Sequence, residues 1–244
     1  MTQQHLFTRC LEEITGEYSR LNHTLGYRFL LGPRSTLSPE TDILFLGLNP
    51  GGAVIPPEHP CDSCENGPAF FNETWNAGAG RGNSALQLQV RSMLRDLAGK
   101  MPGAGDSRQL MTRSLLAYYI PFRSPDFAGL PYKASSREFS RRLWSGILRE
   151  IDPRLIICIN NETFADISAI LTASRGLEPQ VIRSGVGWGN ISAELALFNS
   201  RKRRTSLLRF PHLSRFRIFG HSESLLYTDR LLQLAVSFSL SKES

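Results

Sequence analysis

No stretch of the 244 residues comes near the ~20 consecutive apolar residues that cross a bilayer, so a helical membrane span is not expected. Lysine is almost missing. It occurs only at positions 100, 133, 202 and 242, so arginine carries most of the positive charge behind the net +6. Four cysteines, Cys10, Cys61, Cys64 and Cys158, are too few to staple a chain of this length, and no disulfide framework is expected. The Gly-Lys-Ser/Thr ending of a phosphate-cradling Walker loop is absent, as is the glycine spacing of the dinucleotide fingerprint. Residues 1–14 lack the basic-then-apolar order of a secretory signal and read as an amphipathic helix carrying Leu6, Phe7, Cys10, Leu11 and Ile14. The expectation is a soluble, cytoplasmic, monomeric protein with a single domain over 1–244, since this length builds one sizeable α/β core and no linker interrupts it.

The arginine surplus has a chemical meaning. A planar guanidinium matches phosphate oxygens and stacks on bases, whereas lysine is a strongly hydrated point charge, so nucleic acid is the favoured partner. Composition bias with solvated arginine faces would give the same counts. Cys61-x-x-Cys64, with His59 two residues ahead, makes half of a zinc or iron–sulfur ligand set, but no second half stands at suitable spacing. Neither a metal nor an organic cofactor is expected.

What the chain does contain is a series of short apolar runs that stop abruptly. Ile43-Leu-Phe-Leu46 runs into Gly47-Leu-Asn-Pro-Gly-Gly52, which fits a strand buried on both faces whose end opens onto a crevice. Ser84 caps a helix to about Leu97, and residues 100–108 read as a loop. Ser114 to Ile120 is a second strand, ended by Pro121-Phe-Arg-Ser-Pro125. Ser135 with Glu138 suggests a capping box for a helix burying Phe139, Leu143, Ile147 and Ile151. Leu155 to Ile159 is a third strand, leading through Asn160 into another helix. Residues 181–198 read as a turn-rich excursion with hairpin character, before a last strand, Thr205 to Phe210, and a helix over 222–238. Such alternation implies an α/β fold with a mostly parallel sheet covered on both faces, whose polar loops meet beyond the carboxyl ends of the strands.

Gly47-Leu48-Asn49-Pro50-Gly51 resembles the first motif of the uracil-DNA glycosylase superfamily, and His212-Leu213-Ser214-Arg215-Phe216 resembles its last. The resemblance implies a three-layer α/β/α sandwich around a central, mostly parallel four-stranded sheet. It also implies hydrolysis of the bond between a flipped base and deoxyribose, with DNA as partner. On this resemblance Asn49 positions the attacking water and His212 hydrogen-bonds the departing base. Gly47, Leu48, Pro50, Gly51 and Tyr118 line the base, and Phe70 or Phe71 stacks on it. Ser214, Arg215 and Phe216 meet DNA, and the basic run 201–204, with Arg203, is read as a further phosphate contact. Asp126, Glu65 and Glu73 are the nearest acidic candidates for a base, and no lysine stands in the site loops to support a lyase.

Two departures bear on substrate. Tyr118 occupies the place where family members commonly read the pyrimidine edge with asparagine, and Gly51 replaces a tyrosine that blocks bulky groups at ring carbon five. A larger, modified pyrimidine is therefore expected, a candidate being glucosylated hydroxymethylcytosine of phage DNA, with defence against phage as the role. Ordinary uracil or mismatch repair, a non-catalytic binder of modified DNA and an iron–sulfur relative stand as alternatives. Plainer readings remain beside these: a tight turn at Asn49-Pro50-Gly51, a core position for Phe70 or Phe71, a solvated turn at 201–204, and a loop anchor rather than a wedge for Leu213 or Phe216.

Overall fold

Four apolar runs pair side by side in parallel: β1 (Ile43–Gly47), β2 (Leu115–Tyr118), β3 (Leu155–Cys158) and β6 (Arg204–Arg209), in the order β2-β1-β3-β6. The computed structural model describes residues 3–52, 59–76, 78–200 and 203–240. Phe45 pairs with Leu116 and Ile157, and Ile157 with Leu208, so these four share one face of the sheet. That face packs on α3 (Ala85–Ala98), α4 (Ser107–Arg113) and α7 (Ser222–Ser239) through Val90, Leu94, Leu110 and Leu232. Leu44, Leu46, Ala117, Ile156 and Leu207 face the other way, onto α1 (Gln3–Arg20), α5 (Lys133–Ile151) and α6 (Asn161–Arg175) through Ile14, Leu143, Trp144 and Ile167. Three layers result, and each fully buried Leu or Ile between them contributes ~1.5–3 kcal/mol.

The sheet has six strands, not four. The turn-rich excursion is a hairpin, β4 (Gln180–Gly185) and β5 (Ser192–Asn199), whose second strand pairs antiparallel with β6. β5 buries Ala193, Leu195, Ala196 and Phe198 on two faces and so lies inside the sheet, while β4, largely exposed, forms its edge. At the opposite edge, residues 28–31 cover β2: Leu31 N–H donates to Leu116 O at 2.7 Å and Tyr118 N–H to Phe29 O at 3.2 Å. The Cys61–Cys64 segment lies outside that strip in turn, with Phe29 N–H on Cys61 O and Leu30 N–H on Asp62 O. Exposed strand edges invite aberrant pairing, and this double cover removes one of them.

Helix starts follow local chemistry. Ser84 and Gln87 form a reciprocal capping box at α3, and Asp106 with Gln109 forms another at α4, inside a stretch whose turn residues suggest only loop. α5 begins earlier than the Ser135–Glu138 pair indicates, straight after Tyr132 in a left-handed conformation. α2 (Ala69–Asn72) is one short turn. Among the described residues no helix is long and apolar enough to cross a membrane.

Candidate functional site

The chain leaving β1 is fastened to the exit of β2. Tyr119 N–H donates to Gly47 O and Ile120 N–H to Leu48 O, both at 2.8 Å, and Ser124 N–H donates to Pro50 O at 3.2 Å. Glycine is required at position 47, because a Cβ there would stand 2.9 Å from Cδ1 of the Tyr118 ring. Asn49 Nδ2 donates to Ser124 Oγ at 2.8 Å and to Pro50 O at 3.2 Å, while the Ser124 hydroxyl donates to Asp126 O at 2.6 Å. With its single proton committed, Ser124 Oγ can only accept from Asn49, which fixes the amide with nitrogen inward. Oδ1 is left without a partner among the described residues, an acceptor ready for water. Gly51 is exposed, with open space where a side chain would stand, and Gly52 turns the chain at φ +87°.

The second loop leaves β6. Phe210 N–H holds to Cys158 O at 3.0 Å, and His212 O accepts from Arg215 N–H at 2.9 Å and Phe216 N–H at 3.1 Å, so residues 212–216 form a tight turn. His212 is exposed, its Nδ1 lies 2.8 Å from Ser214 Oγ, and Nε2 has no partner among the described residues. Partial desolvation, and then the charge of Arg215, hold the imidazole below its ordinary pKa, so the ring is neutral at pH 7. With Nδ1 taken up by Ser214 Oγ, Nε2 is the ring nitrogen that faces outward, and in the tautomer that carries its proton there it can donate to an oxygen. Leu46, Cys158 and Arg209 are in register across β1, β3 and β6, so the two strands that lead to Asn49 and His212, each three residues further on, end about 10 Å apart at the same edge of the sheet. Between them, at the end of β3, Asn160 caps α6 through Thr163 N–H at 2.7 Å and leaves its buried Nδ2 unpartnered.

Beside the β1 and β2 exits lies a buried ionic cluster. Arg28 grips Glu73 with both terminal nitrogens, Nη1 on Oε2 at 2.8 Å and Nη2 on Oε1, and Nη2 also reaches Cys64 Sγ at 3.1 Å. Trp75 Nε1 donates to Glu73 Oε2 at 2.8 Å. Burial alone would raise the Glu73 carboxyl, but the Arg28 bonds and charge overcome it and hold Glu73 below the usual range. Burial pushes the Cys64 thiol up to about 12. Arg123, 6% exposed, donates Nη1 to Gly51 O, while its Nε and that of Arg28 are buried without partners. Burial also pushes the Tyr118 hydroxyl above its ordinary pKa. Among the described residues no group of three or more His, Cys, Asp or Glu is arranged to hold a metal ion.

The sequence expectations divide on this geometry. Gly47, Leu48, Asn49, Pro50, Gly51 and Tyr118 sit together at the β1 and β2 exits, and His212, Ser214, Arg215 and Phe216 two strands away at the same edge of the sheet. The aromatic pair does not offer an open ring. Phe70 is 1% exposed and packs edge-to-face on Phe45 and Trp75, while Phe71 lies between the guanidinium groups of Arg91 and Arg108 at 4.3 and 4.4 Å. Arg203 is placed at the wrong end: it precedes β6, pairs with Asp42 at 2.9 Å and lies a strand length, ~20 Å, from the His212 turn. Leu213 is fully buried and anchors its loop, so it is no wedge; Phe216 is half-buried against the core. Among the acids, Glu73 is consumed by Arg28 and Glu65 by Ser63 and the Arg34 amide, whereas Asp126 is exposed, with Oδ1 accepting from Gly129 N–H. Ala53, Arg201 and Lys202 lie outside the described residues. Sequence reading passed over the roles of Arg28, Arg123, Ser124 and Asn160; Arg123 and Ser124, inside the polar Pro121–Pro125 loop, and Asn160, just past a strand, carried some signal, and Arg28 carried none. A cleft of about 610 Å³ between α5 and α6, lined by Arg141, Arg149 and Asp166, includes none of these loop residues.

No protein-family profile matches the chain, and no curated protein is similar enough in sequence to count as a relative.

Proposed function

We propose that the chain is a monofunctional DNA glycosylase that hydrolyses the bond between deoxyribose and a flipped, modified pyrimidine, as its resemblance to the uracil-DNA glycosylase superfamily implies. The observation that carries this reading is the Asn49 amide, locked nitrogen-inward by Ser124, with its free oxygen at the same sheet edge as the unpartnered Nε2 of a neutral His212. Four of the six strands run parallel between two helical layers, which supports the reading, whereas the resemblance implies a sheet of four strands in all.

The chemistry suits these groups. As the glycosidic bond breaks, its electron pair leaves with the base and positive character builds on the sugar. Water adds to C1′, and its released proton ends on the base. Asn49 cannot remove that proton as a carboxylate would, so it orients water through Oδ1. His212 donates to an oxygen of the departing base, where charge develops. The open space at Gly51 favours a ring substituted at carbon five over plain uracil, with glucosylated hydroxymethylcytosine as the candidate.

Incubation with DNAs carrying uracil, hydroxymethylcytosine or its glucosylated forms, with released base detected by mass spectrometry, tests the reading. Release from a modified substrate is expected, falling ~10²-fold or more in Asn49→Ala and in His212→Ala. Absence of an abasic product from every substrate, or release unchanged in both variants, refutes it.

A further inference from the structure

Arg123 is a buried cation with no anion beside it among the described residues. Only 6% exposed, it pairs with no carboxylate among the described residues, and the one buried carboxylate nearby, on Glu73, is already engaged by Arg28 and Trp75. Buried charges are normally paired, because stranding one costs several kcal/mol of desolvation. Its single side-chain bond, Nη1 to Gly51 O, ties the guanidinium beneath the exposed glycine loop next to Asn49.

The direction of that bond decides what remains. A guanidinium presents Nε–H and one Nη2–H side by side as a fork for two adjacent acceptors. Two other arginines grip with that edge: Arg20 holds Glu17 through Nε and Nη2 at 2.7 Å each, and Arg137 holds Asp166 the same way at 2.5 and 2.9 Å, whereas Arg28 grips Glu73 end-on. In Arg123 both fork nitrogens lack partners among the described residues, and Nε is wholly buried.

We propose that Arg123 is the residue that reads the base, its open Nε/Nη2 fork taking the adjacent O2 and N3 acceptors of a cytosine-type ring. This rests on the glycosylase reading for its substrate but not for its test. A uracil-type ring alternates acceptor, donor, acceptor, so its N3–H would oppose one arm of the fork. Backbone phosphates carry paired oxygens too, but they stay at the surface, whereas Nε of this fork is wholly buried. The pairing also explains a tolerated buried charge: when the bond to the sugar breaks, the electron pair left on the base spreads onto O2, and Arg123 gains its counter-charge in the transition state.

The test uses full-length protein and binding, independent of excision. Fluorescence anisotropy compares oligonucleotides that carry one unpaired 5-hydroxymethylcytosine or one unpaired 5-hydroxymethyluracil, each with and without glucose. Wild type is expected to favour the cytosine member of each pair ~10-fold. Arg123→Met should lose that preference with an unchanged circular dichroism spectrum, and Arg123→Lys, which keeps charge but not the fork, should recover little of it. Equal binding of the two rings by wild type, no binding of either, or a base-independent loss in Arg123→Met and Arg123→Lys overturns the proposal. Should Arg123→Met not fold, wild type and Arg123→Lys still decide. Discrimination without base release from any substrate would sink the glycosylase reading and leave this one standing; release without discrimination would do the reverse.

Discussion

Two guanidinium clusters, one around Asp166 and one around Glu73, differ in how completely their hydrogen bonds close. Around Asp166 every arm is engaged: Arg137 grips it through Nε and Nη2, Arg141 through Nε, and the Tyr119 hydroxyl donates at 2.9 Å. Both arginines reach solvent, with side chains 31% and 45% exposed. Around Glu73 the cations are buried, at 3% for Arg28 and 6% for Arg123, and each keeps an unpartnered Nε. A closed cluster ties α5 to α6. An open one, beside the strand ends, holds donors in reserve.

Breaking each cluster at its centre should expose the difference, and the largest loss belongs to Arg28. Arg28→Met strands the Glu73 carboxylate in the core and is expected to cost about 3–5 kcal/mol, read from thermal and denaturant unfolding. In wild type Glu73 titrates low, so the stability it brings is present above the ordinary carboxylate pKa and is lost as pH falls through its depressed value. In the variant the Arg28 bonds and charge no longer overcome burial, with the Trp75 bond and the His59 charge left to oppose it, and the Glu73 pKa rises. Its deficit should then shrink on acidification, because protonation removes the stranded charge.

Asp166→Ala comes next, at about 2–3 kcal/mol. It leaves the Tyr119 hydroxyl without its acceptor, but Arg137 and Arg141 can turn to water. A loss equal to that of Arg28→Met would erase the distinction between the clusters. Arg123→Met separates them further: removing an unpaired buried charge should leave stability unchanged or raise it by up to ~1 kcal/mol, although the ligand preference is lost. A loss of several kcal/mol would mean that Arg123 has a structural partner.

The strand ends were legible because Asn49-Pro50-Gly51 and Pro211-His212 punctuate apolar runs that nothing else interrupts. The ionic clusters were not, since Arg28 and Glu73 stand 45 positions apart and meet only through the strip that covers the β2 edge. Phe70 and Phe71 look equivalent in sequence, yet successive helical residues point about 100° apart, so one entered the core and the other met Arg91 and Arg108. Arg203 misled for a related reason. It is near the His212 strand in sequence, but at its amino end, and the whole of β6 lies between. The antiparallel hairpin was signalled by its glycines, while its addition to the sheet depended on β5 being apolar on both faces.

The smallest effect expected is a shift in pH profile at the exposed turn. His212 titrates below the ordinary histidine value, first because the protein around it desolvates the cation and then because Arg215 repels it. A depressed histidine is neutral above that lowered pKa and gains its proton as pH falls through it. Protonation puts hydrogen on both ring nitrogens, so Nδ1 donates to the Ser214 oxygen and the ring becomes a cation where the proposed chemistry uses a neutral donor. Base release should therefore show an acid limb below the ordinary histidine value. Arg215→Gln removes the repelling charge, raises the His212 pKa and moves that limb to higher pH. DNA affinity is expected to fall in this variant as well, which is why single-turnover rates at saturating protein are the measure. Ser214→Ala, which loses the tautomer control but not the charge, should lower the plateau rate. A limb that stays in place in Arg215→Gln would mean that desolvation alone sets the titration.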